Sequence, residues 1–356
     1  IQFQSAKQCG SCHKQIYNEW KQSWMAKAYT NPLFQHEFGK WRQFAKKNKQ
    51  DADSCLRCHA PVALLTGDNK LNRAVSREGV TCTVCHKVAK VREEAGRYYL
   101  VMDPRPIIYG ANNNDTLVAH ATRQSHALTD SSLCAGCHLD VDHADVPLER
   151  TFVEWQKSFY AKNGIQCMDC HMPSVENPSS KITSHRSHRF PGGHSNSSLL
   201  KDAATVTILP IINNTEIKIQ IVNSRVGHNF PTGGAHPARL VLKLVIETNG
   251  RTAPYRDQRI YRLNYLNDKG ASVDAKEQVV SVRDTTLKSQ ETRVEIFDVP
   301  ALTSTARIYA ELVYELIPAD LGRKLPNDIY EKYYVPVTIH SDEFLYAPDT
   351  KEPSEH

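Results

Sequence analysis

No stretch of the 356 residues approaches the ~18 consecutive apolar residues of a membrane span, so no helix is expected to cross a bilayer. A strong charge bias is missing too. The 44 Lys and Arg against 39 Asp and Glu leave a formal charge of +5, too mild to argue for nucleic acid as a partner. At 40% hydrophobic and 23% charged, the composition lacks the signature of disorder and allows a core. The βαβ pattern that accompanies a thioredoxin-type cysteine pair is absent. No cysteine follows Cys170, and none of the ten up to that point is spare. The chain starts at Ile1 without an initiator Met, as expected after removal of a signal peptide.

All ten cysteines fall into five Cys-x-x-Cys-His units: Cys9/Cys12/His13, Cys55/Cys58/His59, Cys82/Cys85/His86, Cys134/Cys137/His138 and Cys167/Cys170/His171. At this composition chance supplies about 0.01 such pentapeptides, so the pattern has a chemical cause. Structural zinc takes four ligands and does not require a His after every second Cys. A disulfide framework would not repeat one spacing five times. The spacing is the attachment signal of c-type haem: two thiols add to the porphyrin vinyl groups, and the adjacent His reaches the iron. Five covalently bound c-type haems are therefore expected, with His13, His59, His86, His138 and His171 as proximal iron ligands. Such attachment takes place outside the cytoplasmic membrane, which implies a periplasmic or extracellular protein.

Five motifs between residues 9 and 171 leave little room for a conventional core, so short helices and loops packed on haems are expected over residues 1–200. Helical stretches are expected at 14–29, 33–48 and 150–162. An internal echo joins two of them: Glu19-Trp20-Lys-Gln-Ser23-Trp-Met-Ala26-Lys27 and Glu154-Trp155-Gln-Lys-Ser158-Phe-Tyr-Ala161-Lys162. After Leu199 the texture changes. Segments 204–212, 216–223, 239–248, 290–299, 305–317 and 333–339 are rich in Val, Ile, Leu, Thr and Tyr, and turn residues separate them. This predicts an antiparallel β-sandwich of immunoglobulin-like type over residues 201–346, followed by a polar tail at 347–356 that frays. The fold class is α+β.

Each iron takes a second axial ligand unless it is kept open for chemistry. Of 16 histidines, five close the motifs and eleven remain. His188 and His194 stand in Ser-His-Arg-Phe-Pro-Gly-Gly-His, where Pro and Gly shape a tight loop able to approach a flat porphyrin. His228 stands in Gly227-His-Asn-Phe-Pro231-Thr-Gly233, a rigid turn between expected strands; as a ligand it would tie the β-domain to a haem. His120 precedes Cys134 by 14 residues, with His126 as its nearest rival. Met25 is the thioether candidate, which would raise a haem's potential; the alternative is a Met packed beside Trp24 on a haem.

At these residues the chain resembles a broad family of multihaem c-type cytochromes related to nitrification and metal-reduction electron carriers. The resemblance rests on Cys9-Gly-Ser-Cys-His13 followed by Trp20-x-x-Ser23-x-Met25, on Gly79-Val-Thr-Cys-Thr-Val-Cys-His86, on Gly164-Ile-Gln-Cys-Met-Asp-Cys-His-Met-Pro173, and on Gly227-His-Asn-Phe-Pro-Thr-Gly233. It implies electron transfer along closely stacked haems, with histidines at positions like His120, His188, His194 and His228 as distal ligands. The residue at the Met25 position is often His in such proteins, so Met25 is a departure. The resemblance also implies redox-protein partners or an extracellular acceptor, with self-association into longer chains as one fate.

Electron transfer without catalysis is the favoured reading. The alternative is a reductase acting on nitrite, hydroxylamine or peroxide at one open haem, with the site near Met25 as first suspect. Pentahaem nitrite reductases usually replace one motif His by Lys, and all five motifs here end in His. A third reading makes the β-domain a binding or assembly module, compatible with the first. The run Lys40, Arg42, Lys46, Lys47 and Lys49 is read as a solvated helix face, with docking of an acidic partner as the sharper option.

Overall fold

The computed structural model describes residues 1–112, 119–141, 147–176, 184–194, 199–201, 203–233, 238–248, 253–273, 279–318, 322–323, 325–329 and 335–348. Residues 349–356 of the expected tail, together with His143 and His236, lie outside the described residues. The chain divides into two compact units, one of residues 1–153 and 160–196, the other of residues 154–159 and 197–356.

The first unit is built from short helices. They are α1 (Ala6–Gly10), α2 (Lys14–Gln22), α3 (Trp24–Lys27), α4 (Pro32–Asn48), α5 (Leu56–His59), α6 (Pro61–Thr66), α7 (Cys82–His86) and α8 (Ser132–His138). Next come α9 (Thr151–Gln156), which runs on into the second unit, α10 (Phe159–Lys162) and α11 (Cys167–His171). Only α4 is long. Asn31 caps it by accepting from the Leu33 N–H at 2.8 Å, Pro32 opens it, and Lys49 closes it in the left-handed region.

The expected helix at 14–29 is two helices. Ser23 takes an extended backbone, donates its hydroxyl to the Trp20 carbonyl at 2.6 Å and accepts from the Ala26 N–H, which ends α2 and caps α3. The expected helix at 150–162 breaks at the matching place, where the Ser158 N–H donates to the Trp155 carbonyl at 2.9 Å. The two halves of the sequence echo thus share one local fold.

The first unit also contains strands that the helix-and-loop expectation missed. A hairpin joins β1 (Val88–Glu94) to β2 (Arg97–Met102) through Ala95 and Gly96, both at positive φ as a two-residue hairpin turn requires. Three two-stranded ladders follow: parallel β3 (Ile107–Gly110) with β4 (Ala121–Gln124), then antiparallel β5 (Asp140–Val141) with β6 (Pro147–Glu149) and β7 (Ser174–Glu176) with β8 (Ser184–Arg186). The strands arise where the path between motifs is too polar and too alternating to wrap as helix.

Among the described residues the second unit holds three small antiparallel sheets. One sheet has the order β16 (Thr292–Asp298), β10 (Glu216–Val222), β9 (Thr205–Ile208). The largest has the order β12 (Tyr255–Tyr261), β11 (Arg239–Thr248), β17 (Ala306–Glu315), β18 (Val337–Tyr346). The third is β14 (Ser272–Val273), β13 (Leu263–Leu266), β15 (Ser281–Asp284). Period-2 alternation decides the faces. Ile217, Ile219 and Ile221 of β10 are sealed, as are Leu240, Leu242 and Leu244 of β11 and Ile308 and Leu312 of β17. The Val206 and Ile208 N–H groups of β9 donate to His340 and Asp342 of β18, and Arg259 of β12 lies over the Phe297 ring of β16. Strands β12 to β15 had no counterpart in the sequence reading, because their polar residues hide the alternation.

Candidate haem sites

The five motifs form short helical turns or their immediate flanks. On a helical turn the residues at i, i+3 and i+4 share a face, so two cysteines and the following His project together. The His13 and His59 N–H groups close these turns onto the Cys9 and Cys55 carbonyls at 2.9 and 3.1 Å. The α11 turn carries a reciprocal capping box between Gln166 and Asp169, and the Ser131 hydroxyl accepts from the Cys167 N–H at 2.9 Å.

None of the ten cysteines is in a disulfide. Among the described residues no three His, Cys, Asp or Glu side chains converge as they would for structural zinc. Cysteines of different motifs are neighbours instead: Cys9 with Cys82, Cys134 with Cys167, and Cys58 with Cys137, the Cys58 thiol donating to the Cys137 carbonyl at 3.8 Å.

Three motif histidines are oriented by backbone carbonyls. The Nδ1 atoms of His59, His86 and His171 donate to the carbonyls of Ala28, Tyr109 and Pro191 at 2.9, 2.7 and 2.7 Å. A carbonyl only accepts, so Nδ1 carries the proton and Nε2 is left as the metal-binding nitrogen. Burial holds all three imidazoles below the ordinary histidine range and keeps them neutral, the form that ligates iron. Phe34 of α4 stacks on the His59 ring at 3.9 Å between centroids and 12° between planes.

Two candidate distal histidines face motif histidines. The rings of His13 and His120 lie 6.4 Å apart at 41°, and those of His86 and His188 lie 6.2 Å apart at 17°. Two imidazoles bound through nitrogen to one metal at about 2.0 Å each place their centroids about 6.2 Å apart, a separation that both pairs match. Burial, reinforced by neighbouring His86, pushes His188 down to about 4. Burial also pushes His194 down to about 4, reinforced by His138 and His59, and its ring lies 5.7 Å from that of Trp24.

The other candidates sit differently. His120 is the candidate whose ring lies beside that of His13. Met25 lies in α3, half-buried, its carbonyl accepting from the Val80 N–H at 2.9 Å. His228 belongs to the second unit, where its Nδ1 donates to the Asn229 carbonyl at 2.8 Å. Asn229 and Phe230 pin that turn to Thr286 and Leu287. His126 opens a 3₁₀ turn at His126–Thr129.

Sequence reasoning overlooked several participants. The orienting carbonyls carry no sequence signal. The buried Glu19 carboxylate accepts a hydrogen bond from the His185 ring at 3.1 Å beside His188. His36 Nε2 is buried without a hydrogen-bond partner, a nitrogen of the kind a metal would satisfy. In the basic run, Arg42 pairs with Asp53 at 2.5 Å and Lys40 with Glu37 at 3.4 Å, so two of its five charges have acidic partners.

A family model described as cytochrome c554 and c-prime matches residues 8–87, the span of the first three motifs. A second, cytochrome c552, matches residues 150–189, around the fifth. The chain is a multihaem c-type cytochrome. A penta-heme cytochrome c552 from Thermochromatium tepidum shares its fold, with a TM-score of 0.77 and 22% identity over 96% of this cytochrome and 99% of that chain. A superoxide reductase from Archaeoglobus fulgidus (12% identity, 42% of this chain and 94% of that one) reaches a TM-score of only 0.19, too low to carry an argument. No curated protein matches the cytochrome in sequence.

Proposed function

We propose that this cytochrome holds five c-type haems and serves as an exported electron-transfer protein, passing electrons along closely spaced haems between redox partners. The observation that carries this reading is the meeting of attachment cysteines: motif 1 with motif 3, motif 4 with motif 5, and motif 2 with motif 4. Each such cysteine would be bonded to a porphyrin edge, so neighbouring cysteines of different motifs would bring those edges close. Bound haems supply one-electron centres whose potentials follow axial ligand, burial and hydrogen bonding.

The chain's own residues do the rest. Cys9, Cys12, Cys55, Cys58, Cys82, Cys85, Cys134, Cys137, Cys167 and Cys170 attach the haems, and the five motif histidines bind proximally. His120 serves opposite His13 and His188 opposite His86, supported by ring separations of 6.4 and 6.2 Å. His194, Met25 and His228 complete the proposed distal set. Covalent attachment outside the cytoplasmic membrane supports a periplasmic or extracellular location, and no described helix is long and apolar enough to span a membrane. The immunoglobulin-like reading of the second unit is supported by the sealed inner residues of β10, β11 and β17. A docking or assembly role for that unit is supported by Val294 and Ile296, half exposed on edge strand β16.

The test is the visible spectrum of the dithionite-reduced protein before and after carbon monoxide, with the haem count read from the intact mass. Five haems and no spectral change are expected for a carrier with every iron six-coordinate. A shift in about one-fifth of the haem signal would expose one open iron and favour a reductase acting on nitrite, hydroxylamine or peroxide.

A further inference from the structure

Two adjacent residues of one helix hold both sides of the His86/His188 gap. The Trp20 indole N–H of α2 donates to the Val80 carbonyl at 2.8 Å, fixing the segment that leads into α7 and His86. On the other side, the Glu19 carboxylate accepts from the His188 backbone N–H at 3.0 Å and from the His185 ring at 3.1 Å. Glu19 is only 4% exposed, and β8 ties His185 into a hairpin with β7. A buried carboxylate gripping a backbone N–H is a costly contact to leave unmade.

The echo supplies an independent observation. Glu154 occupies the position of Glu19, is also buried, and accepts from the Thr232 hydroxyl at 2.6 Å. The loops these glutamates grip read His188-Arg-Phe-Pro-Gly-Gly and His228-Asn-Phe-Pro-Thr-Gly-Gly. The backbone repeats as well: the Val80 N–H donates to the Met25 carbonyl at 2.9 Å, and the Ile165 N–H donates to the carbonyl of Tyr160, the echo position of Met25, at 3.0 Å. In both copies a Gly-Val or Gly-Ile step then leads into a motif helix, α7 or α11.

We propose that Glu19 and Trp20 are positioning residues that together set the separation of His86 and His188, and that Glu154 is the corresponding anchor of the loop bearing His228. In this arrangement α2 works as a caliper. Trp20 holds the segment carrying one imidazole and Glu19 holds the loop carrying the other, so the two imidazoles would be held ready for an iron bound between them. This rests on the reading of His188 as an axial ligand.

The experiment compares His188→Ala, Glu19→Ala, Glu19→Gln and Trp20→Phe in the full haem-loaded protein, reading carbon monoxide uptake by the reduced form and low-spin electron paramagnetic resonance of the oxidised form. His188→Ala is expected to make about one-fifth of the haem signal newly responsive to carbon monoxide. Glu19→Ala is expected to do the same to a smaller extent, Glu19→Gln to restore tight ligation, and Trp20→Phe to shift one low-spin signal without uptake. No response from His188→Ala would overturn the axial reading itself. A response from His188→Ala with none from Glu19→Ala, and unshifted low-spin signals, would overturn the positioning role alone. If Glu19→Ala does not accumulate, His185→Ala removes one anchor of the same carboxylate and is read in the same way; a shifted low-spin signal supports the caliper and an unshifted one defeats it.

Discussion

The two units solve the problem of a protein interior in opposite ways. Of the twelve largest side chains sealed from solvent among the described residues, eleven lie in the second unit, from Ile217 to Ile317, and only Leu56 lies in the first. The first unit's apolar contacts gather in small groups such as Phe34, Phe38, Leu56, Ala60, Ala63 and Leu71, and Phe3, Val62, Val75 and Val84. One group touches Cys55 of the second motif, and Val84 stands inside the third. In the second unit alternating aliphatic residues bury each other; in the first they line the places where porphyrins attach. Folding of the first unit should therefore be tied to its cofactor, as it is in small metal-dependent domains, and folding of the second should not.

The largest expected effect tests that contrast directly. In the full chain produced without haem attachment, backbone amides of residues 1–153 should exchange with solvent almost as in an unfolded chain, while those of β10, β11 and β17 stay protected. Protection of α2 and α4 in the haem-free chain would break the contrast. A smaller effect sharpens it. Ile219→Ala in β10 should cost about 2–5 kcal/mol in denaturant unfolding of the second unit and leave the visible spectrum unchanged. Leu56→Ala, between Cys55 and Cys58, should by contrast alter the spectrum of a haem as well as the stability. Identical spectral responses to the two substitutions would mean that the units are not separate in this respect.

The sequence was unequally legible across the same divide. The Cys-x-x-Cys-His motifs stood out because covalent haem attachment fixes their spacing whatever the fold does. Six segments of the β-rich half could be placed because their aliphatic alternation is dense, and strands β9, β10, β11, β16, β17 and β18 fall on or beside them. Strands β12 to β15 escaped because β12 is polar on both faces, with Arg256 and Gln258 on the exposed one and Asp257 and Arg259 on the other. The β1–β2 hairpin was legible in principle, since Ala95-Gly96 separates two alternating runs, but the haem density pointed to helices and loops. Which histidines lie near each other was the hardest to read. His120 and His13 are far apart in sequence and meet only through the fold, and the orienting groups of His59, His86 and His171 are backbone carbonyls with no side-chain identity.

The smallest expected effect concerns the support behind one of those carbonyls. Tyr109 receives the His86 Nδ1 proton on its carbonyl, and its hydroxyl donates to Asp103 at 2.7 Å. The Arg105 guanidinium forks onto the same carboxylate at 3.0 and 2.7 Å, and together with Tyr109 it holds Asp103 well below the usual carboxylate range. A carboxyl group whose native pKa lies below its unfolded value adds stability that is full above the unfolded value of about 4 and fades as pH falls through the native one. Asp103→Asn should therefore unfold more easily than the parent at neutral pH, and the difference should shrink below about pH 4 and vanish in stronger acid. The effect should be modest because Arg105 is 56% exposed and water screens its charge. A gap that stays constant from neutral pH into strong acid would show that Asp103 acts through shape and hydrogen bonding, with its charge playing no part. The β3 strand carrying Tyr109 would then hold His86 through packing and hydrogen bonds, without a charge-dependent contribution.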